Sequence, residues 1–344
     1  MDNSYWLFHF RIAGETIDNS EKNAHGLGHA FRCLTLINQL KTLYNINSIV
    51  VINKTLRGKN FLRERGLEPY SEEHLETLLK QYHVNIIISD INYLEEEFIK
   101  TYEKFSPWVC LAPRGQTKYR SSISFKDTLF NDVEPVNRSK NNKIFSGYKY
   151  IVTRPEFNEV QKKLFSNSIK KEDNKIIVCM GGEDKQDLTS KILNLLSELD
   201  NRWAIEVIIG PLYCNEENLI NLISNFDSNI SIIRNPENIY LNIAQCSFGI
   251  FAAGLISYES IGLGVPCLNI NPTDFHAKRS KELENLGVGL DLGEISSLTQ
   301  AKLMTTIFDL VDNKEKLSAM RVEGESLVDA RGAQRIINKI ISIE

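Results

Sequence analysis

The chain of 344 residues is long enough for roughly two domains of ordinary size. Hydrophobic residues make up 42% and charged residues 24%, as in globular proteins, which argues against a disordered chain. The formal net charge of −4 argues against nucleic acid as a partner, because a nucleic-acid-binding protein usually carries a basic stripe.

The location of the protein is predicted from targeting patterns and cysteines. No run approaches the roughly eighteen apolar residues of a membrane span, so we expect no integral membrane segment. Residues 1–4 lack the basic start of a secretion signal. The six cysteines form no CxxC pair and lie mostly in apolar patterns, which is typical of a reducing compartment and predicts a cytoplasmic location. They are Cys33, Cys110, Cys179, Cys214, Cys246 and Cys267.

Short apolar runs rich in Val and Ile alternate with amphipathic stretches along the chain. Such runs predict strands of parallel sheets that are covered on both faces. In the first half they are Trp6 to Ile12, Ser48 to Ile52, Val84 to Ser89, Trp108 to Leu111 and Tyr148 to Val152. In the second half they are Ile176 to Met180, Ile205 to Ile209, Ile230 to Ile233, Phe248 to Ala252 and Val265 to Ile270.

Helices are predicted between these runs. The first has an apolar stripe at three- and four-residue spacing, made of Phe31, Leu34, Ile37, Leu40 and Tyr44. The predicted helices are His29 to Tyr44, Glu72 to Tyr82, Asp187 to Leu199, Glu216 to Ile223, Leu255 to Leu263 and a terminal pattern from Leu327 to Ile343.

This alternation predicts an α/β fold of two Rossmann-like domains facing across a cleft. Pro155 disfavours helix at Arg154, which suits a hinge. The expected boundaries are 1–153 and 154–326, and a C-terminal helix, 327–344, would pack back onto the first domain. Ligands of open α/β sheets bind beyond the carboxyl ends of the strands, so candidate residues are sought in the loops that follow strands.

The first candidate segment, His25 to Arg32, joins the first strand to the first helix. Its glycines let the backbone approach a ligand, and the helix N-terminus favours negative charge. A dinucleotide fingerprint would need glycine where Phe31 stands and an acidic residue where Asn53 stands. A nicotinamide cofactor is therefore not expected, and no other cofactor is predicted.

His29 opens the predicted helix, where an imidazole facing the cleft can transfer a proton. A helix-capping histidine without chemistry explains the position equally well. His25 and His29 lie four residues apart, but Gly26 stands where a metalloprotease carries glutamate, so no metal site is expected.

Two further segments follow strands of the second half. Gly181 and Gly182, before Asp184, can offer bare amides to a diphosphate, or can form a tight βα turn. Gly254 precedes a predicted helix N-terminus that leaves room for phosphates. Glu259, just over one turn later, can accept two hydrogen bonds from ribose hydroxyls, or can be an exposed glutamate that favours the helix dipole.

Several motifs in register resemble the PseG family of UDP-sugar hydrolases in pseudaminic acid synthesis. That family is related to the MurG-like glycosyltransferases of GT-B fold, and similar domains occur among spore-coat polysaccharide biosynthesis proteins. Gly26 to Leu34 is similar to the family's G-x-G-H-x-x-R-x-L signature, and Tyr150 to Phe157 to its Y-x-x-x-R-x-E-F segment. Gly181 to Asp184 with Thr189, and Asn238 to Pro266, resemble its GG-x-D turn and nucleotide-binding segment.

The resemblance covers nearly the whole chain and implies a GT-B fold with His29 as catalytic base. It implies nucleotide binding by Gly254 to Glu259. Our candidate substrate- and nucleotide-binding residues are Gly26, Gly28, Arg32, Gly181, Gly182, Asp184, Gly254, Ser257, Glu259 and His276.

This chain departs from the family pattern at three places. The loop Ala13 to Ala24 is longer, His276-Ala277 replaces an Asn-Gln pair, and Ile91-Asn92-Tyr93 after Asp90 lacks a second acidic residue.

The leading hypothesis is a hydrolase that removes the nucleoside diphosphate, UDP by resemblance, from an activated amino or deoxy sugar. A glycosyltransferase that uses an acceptor hydroxyl on the same scaffold is the first alternative. A nucleotide-sugar-binding protein without catalysis is the second. No basic or apolar surface run for a lipid acceptor is evident, which favours hydrolysis.

Overall fold

A computed structural model describes residues 5–12, 27–105, 107–114, 117–129, 142–224, 226 and 229–342. The chain divides into two compact units: Met1–Arg154 together with Ala330–Glu344, and Pro155–Asp329. Each unit contains one parallel sheet whose strands are connected mostly through helices. The predicted α/β fold with two Rossmann-like sheets is confirmed.

The first unit has the strand order β3-β2-β1-β4-β5-β6-β7. Its strands are β1 (Tyr5–Phe10), β2 (Asn47–Ile52), β3 (Tyr70–Ser71), β4 (Val84–Asp90), β5 (Trp108–Leu111), β6 (Ile123–Lys126) and β7 (Lys143–Ser146). Its helices are α1 (Leu27–Gln39), α2 (Leu56–Arg63), α3 (Leu75–Gln81), α4 (Glu96–Tyr102) and α5 (Thr117–Arg120), with α14 (Gly332–Ile341) near the end of the chain. A π-helical turn, Leu40–Tyr44, extends α1, and 3₁₀ turns occur at Glu72–His74 and Tyr148–Tyr150.

The second unit has the strand order β10-β9-β8-β11-β12-β13. Its strands are β8 (Lys175–Cys179), β9 (Ala204–Ile209), β10 (Asn229–Arg234), β11 (Phe248–Phe251), β12 (Cys267–Ile270) and β13 (Gly289–Gly293). Its helices are α6 (Pro155–Phe165), α7 (Leu188–Leu195), α8 (Glu216–Ile223), α9 (Ile239–Ala244), α10 (Leu255–Gly262), α11 (Asp274–Asn285), α12 (Gln300–Asp312) and α13 (Lys314–Leu327). A further 3₁₀ turn spans Ile295–Ser297.

Both strand orders reverse direction next to the first strand of the unit. In the first unit β1 lies between β2 and β4, and in the second β8 lies between β9 and β11. Loops that leave β1 and β4, or β8 and β11, therefore diverge and open a crevice at the carboxyl edge of the sheet. In open α/β sheets, ligands bind at such a topological switch point.

Apolar side chains cover both faces of the central strands. In β1, Leu7 packs with Leu75 of α3 and Tyr102 of α4, while the alternate residues Phe8 and Phe10 are fully buried on the other face. This double burial explains the continuous apolar runs of the sequence.

The C-terminal helix α14 belongs to the first unit and packs along α1. Tyr44 donates a hydrogen bond to Asn338 over 2.6 Å. A Cβ atom at Gly332 would lie 1.9 Å from the carbonyl oxygen of Ile151, so only glycine allows this approach. The prediction that the C-terminal helix returns to the first domain is confirmed.

Two predicted elements are wrong in detail. Tyr148 to Val152 is not a strand, because Tyr148–Tyr150 forms a 3₁₀ turn with both tyrosines buried. Leu327 to Ile343 is not one helix, because α13 ends at Leu327 and Ala330 adopts a left-handed φ of 61° before α14 begins.

All six cysteines lie in described ranges and are free thiols, and five are buried. In the described part of the chain, no helix is long and apolar enough to cross a membrane.

Candidate functional site

The switch point of the first unit brings His29 and Asp90 together. His29 lies in the first turn of α1, which follows β1, and Asp90 is the last residue of β4. The two strands are in register there, with Phe10 paired to Asp90. The Nδ1 atom of His29 lies 2.7 Å from Oδ1 of Asp90.

We assign the tautomer of His29 from this contact, which is shorter than the 3.2 Å contact between Nδ1 and Nη2 of Arg32. A carboxylate only accepts hydrogen bonds, so Nδ1 carries the proton that is donated to Asp90. In the neutral ring the basic lone pair is then on Nε2. The His29 side chain is 12% exposed and Asp90 is fully buried, so the acceptor that orients the ring is inside the fold.

Arg32 holds the same carboxylate from the next turn of α1. Its Nε and Nη2 atoms donate to Oδ2 and Oδ1 of Asp90 over 2.6 and 2.7 Å. Burial alone would raise the pKa of Asp90, but the charges and hydrogen bonds of Arg32 and His29 outweigh it and lower that pKa. Burial alone would lower the pKa of Arg32. The charge and hydrogen bonds of Asp90 outweigh burial and raise that pKa. Asp90 is therefore a fixed anion beside His29.

The remaining candidates of this segment are only partly described. Gly28 lies in the first turn of α1, whereas His25, Gly26 and the loop 13–24 lie outside the described residues. Over the described ranges, no group of three or more His, Cys, Asp or Glu side chains is arranged to hold a metal ion.

Asn53 has a structural use at the end of β2. Its side-chain amide accepts from the backbone nitrogen of Ile12 and donates to the carbonyl of Ile12, both over 2.9 Å. This pairing continues the contact between β1 and β2 beyond the last ladder pair. It occupies the position where a dinucleotide-binding protein would hold ribose.

The second unit places both glycine turns at its own switch point. Cys179 at the end of β8 pairs with Phe251 at the end of β11, so the turns that follow leave the sheet side by side. Gly181 has a φ of 96°, which favours glycine, and a Cβ there would meet no atom within 4 Å. Gly182 lies against Gly210. A Cβ at Gly210 would come within 2.4 Å of the main chain of Gly182.

Asp184 caps helix α7. Its two carboxylate oxygens accept the backbone N–H groups of Leu188 and Thr189, each over 2.8 Å. Burial raises the pKa of Asp184, and these hydrogen bonds oppose the increase. The tight-turn interpretation of Asp184 therefore accounts for its side chain, and a contact with substrate stays a prediction.

Gly254 leaves open space at the N-terminus of α10. It is the N-cap residue, has no side-chain cap and adopts a φ of −90°, which does not require glycine. A Cβ at this position would meet nothing within 4 Å. The backbone N–H of Ser257 donates to the carbonyl of Gly254 over 3.3 Å. A helix N-terminus without a side-chain cap generally favours an anionic group, so the predicted phosphate contact at Gly254 stays a prediction.

Side chains of α10 and α11 are held from neighbouring elements. Tyr240 of α9 donates to Glu259 over 2.6 Å, and Glu259 is 8% exposed. Ser257 is fully buried and donates to Asn269 of β12 over 2.7 Å, so its hydroxyl is engaged inside the unit. His276, in the first turn of α11, contacts Thr273 through Nδ1 over 2.8 Å.

Sequence reasoning missed Asp90, Tyr240 and Asn269 as members of these sites. Asp90 had a usable signal, because it ends an apolar strand run at the edge where ligands bind. Tyr240 and Asn269 have no such signal, since their roles depend on which helix and which strand pack against α10.

Solved structures define the fold as GT-B type. MurG of Acinetobacter baumannii superimposes with a TM-score of 0.68 at 13% identity, covering 98% of this chain and 99% of MurG. UDP-GlcNAc 2-epimerase of Neisseria meningitidis, bound to UDP-GlcNAc, gives a TM-score of 0.66 at 13% identity, covering 98% of this chain and 100% of the epimerase.

Sequence relatives extend the comparison. Spore coat polysaccharide biosynthesis protein SpsG of Bacillus subtilis is 22% identical over 324 residues, which are 90% of this chain and 93% of SpsG. The uncharacterized protein MJ1062 of Methanocaldococcus jannaschii is 28% identical over 255 residues, which are 70% of this chain. That alignment spans 52%, about half, of MJ1062. No family model matches the sequence.

Proposed function

We propose that this protein is a nucleotide-sugar hydrolase that releases a nucleoside diphosphate, with UDP as the first candidate, from an activated amino or deoxy sugar in surface-glycan synthesis. The observation that carries the proposal is the 2.7 Å contact of His29 with the buried Asp90. An imidazole oriented by a carboxylate is a typical general base.

The names and the bound ligand of similar proteins support the substrate class. MurG and the UDP-GlcNAc epimerase share the fold, the epimerase structure contains UDP-GlcNAc, and SpsG is named for polysaccharide biosynthesis. The negative charge of a diphosphate also suits the positive partial charge at the N-terminus of α10.

In the proposed reaction, Nε2 of His29 takes a proton from water while the water oxygen attacks the anomeric carbon. The bond between that carbon and the diphosphate oxygen breaks, and the nucleoside diphosphate leaves with the electron pair. We assign the diphosphate to the amides at Gly254 and Gly181–Gly182, and the ribose to Glu259. Asp90 stabilises the imidazolium that forms.

Glycosyl transfer is the second candidate function. The same His29–Asp90 pair would activate an acceptor hydroxyl instead of water, and the fold is shared with the transferase MurG. Binding without catalysis is less well supported, because such a protein needs no buried carboxylate to orient His29.

The test is turnover of UDP-, CDP-, GDP- and dTDP-linked amino and deoxy sugars without an acceptor. We expect release of nucleoside diphosphate and free sugar, and a loss of about 10²–10⁴ in kcat for His29→Gln at an unchanged melting temperature. Turnover only after an acceptor is added would establish a transferase instead. Tight binding without turnover under any acceptor would establish a binding protein.

A further inference from the structure

A tyrosine of α9 holds the carboxylate of Glu259 in the second unit. The hydroxyl of Tyr240 donates to Oε1 of Glu259 over 2.6 Å. Tyr240 is fully buried and Glu259 is nearly so, which shields this hydrogen bond from water on most sides. A hydrogen bond to a charged group is roughly twice as strong as one between neutral groups, so the contact fixes the direction of the carboxylate.

The ring of Tyr240 is held by its own helix and by α6. Asn238, the N-cap residue of α9, accepts the backbone N–H of Tyr240 over 3.1 Å. Phe157 of α6 is fully buried and meets the Tyr240 ring edge to face at 5.4 Å. An aromatic pair in this arrangement restricts the ring, and with it the direction of the hydroxyl.

The C-terminal ends of α9 and α10 are joined as well. Nζ of Lys171 donates to the carbonyl of Ala244, the last residue of α9, over 3.2 Å and to that of Leu263, which follows α10, over 2.9 Å. Gln161 of α6 donates to the carbonyl of Gly262 over 2.9 Å. The two helices are therefore held together at these ends in addition to the contact through the tyrosine hydroxyl.

The position of Glu259 in α10 directs its carboxylate toward the expected diphosphate. Glu259 follows the N-cap Gly254 by five residues, which rise about 7.5 Å along a helix axis. Side chains of an α-helix lean toward its N-terminus, so the carboxylate is directed back toward the first turn. The ribose of a nucleotide lies directly beside its diphosphate, so a diphosphate at Gly254 brings the ribose hydroxyls to this turn.

We propose that Tyr240 is a positioning residue that holds Glu259 as the acceptor for the ribose 2′-hydroxyl, so that the site selects ribonucleoside over deoxyribonucleoside diphosphates. The inference rests on the proposed function and narrows its substrate to sugars that are activated on a ribonucleotide. Sugars linked to dTDP, which lacks the 2′-hydroxyl, are then poor substrates.

The acceptor capacity of a carboxylate explains the selection. A carboxylate has about four acceptor positions and no donor, and Tyr240 fills one position on Glu259. Its two oxygens match the neighbouring 2′- and 3′-hydroxyls of ribose, whereas deoxyribose keeps only the 3′-hydroxyl. A deoxynucleotide therefore covers the carboxylate but leaves one of its acceptor positions unfilled, which costs binding free energy.

The experiment is isothermal titration calorimetry of the full chain with the ribo- and 2′-deoxyribonucleoside diphosphates of uracil, cytosine and guanine. Within each pair only the 2′-hydroxyl differs. We expect the ribonucleotide of the preferred base to bind about 10- to 100-fold more tightly than its deoxy form, the usual effect of a hydrogen bond to a charged group. Tyr240→Phe keeps the ring but removes the hydroxyl donor, and should lower this ratio of affinities by about fivefold.

The matched control is Tyr213→Phe, which also removes a tyrosine hydrogen bond to a carboxylate, the one from Tyr213 to Asp187 over 2.7 Å. It should keep the ratio of the natural protein. Glu259→Gln leaves the Tyr240 ring in place and should lower the ratio at least as much as Tyr240→Phe.

Three results would overturn this inference alone: equal affinity of the natural protein for both members of every pair, an unchanged ratio in Tyr240→Phe or Glu259→Gln, or an equal fall in Tyr213→Phe. If Tyr240→Phe weakens both nucleotides alike, the ratio is unchanged and the role of the hydroxyl is only structural. Absence of binding to every nucleoside diphosphate would overturn the proposed function and the inference with it.

Discussion

Asp90 decides what His29 can do. The carboxylate is fully buried, accepts two hydrogen bonds from Arg32 and orients the imidazole through Nδ1. Taking such charges out of water is costly, and their mutual attraction repays the cost only while all partners are present. The buried pair of Asp90 and Arg32 is therefore sensitive to the loss of either member.

Asp90→Asn should destabilise the fold by about 3–5 kcal/mol, because the buried guanidinium of Arg32 loses its countercharge. Turnover should fall as well, since an amide can present its N–H₂ group to His29 in place of an acceptor. The double variant Asp90→Leu/Arg32→Met removes both charges and should regain most of the stability but not the turnover. Melting temperature and kcat measured side by side test this, and a near-natural kcat in Asp90→Asn would refute the orienting role.

Glu72 makes a second set of contacts, which are partly buried, at the carboxyl edge of the first sheet. It accepts from Nε of Arg11 over 2.7 Å and lies 2.8 Å from Nε2 of His9. Burial alone would raise the pKa of Glu72, but its hydrogen bonds and the charges of His9 and Arg11 lower it to about 2.

A carboxyl with a lowered folded-state pKa stabilises the fold above its unfolded pKa, and that stability is lost as the pH falls toward the folded pKa. The contribution of Glu72 should thus disappear between about pH 5 and pH 2, and is roughly 3 kcal/mol at most. Glu72→Gln should flatten the curve of unfolding free energy against pH in that window. The exposed neighbour in Glu73→Gln serves as control, and identical curves for both variants would contradict the account.

At the scale of elements, two glycines of the second unit have different surroundings. A Cβ at Gly254 would enter open space, whereas a Cβ at Gly210 would clash with the main chain of Gly182. Gly254→Ala should leave the melting temperature unchanged, because the new Cβ meets no atom within 4 Å. It should weaken binding of the nucleoside diphosphate by roughly tenfold if a phosphate occupies that space. Calorimetry on Gly254→Ala measures this, and unchanged affinity would remove the phosphate from the α10 N-terminus.

Gly210→Ala is the contrasting variant. Its Cβ would lie 2.4 Å from the main chain of Gly182, so the β9 end and the Gly181–Gly182 turn must separate. We therefore expect Gly210→Ala to lower the melting temperature clearly, with or without nucleotide. A stable Gly210→Ala would show that this turn adapts more than its close packing implies.

Helix α1 shows where sequence patterns stop being informative. The predicted stripe included Phe31 and Leu34, yet both are only half-buried, whereas the polar Arg32 and Thr35 are buried. The apolar pattern is displaced because the inner side of α1 carries Arg32 to Asp90. Hydrophobic periodicity assumes that buried means apolar, and a buried ion pair breaks that assumption.

For the whole molecule, the two series of Val/Ile runs were sufficient to predict two parallel sheets. The same series placed the three candidate segments after β1, β8 and β11, and strand order then brings the latter two to one switch point. The short strands β3, β6, β7 and β13 were not predicted, because two to five residues with polar neighbours give little periodic signal. The partners of candidate residues depend on tertiary packing and could not be read from spacing.

The central claim is that His29 directs water to the anomeric carbon of a nucleotide sugar. The direct measurement is turnover in ¹⁸O-labelled water, followed by mass spectrometry of the sugar and the nucleoside diphosphate. Attack at carbon breaks the C–O bond, so we predict the label in the free sugar and none in the diphosphate, with the signal lost in His29→Gln. Label in the diphosphate would mean attack at phosphorus and would contradict the claim.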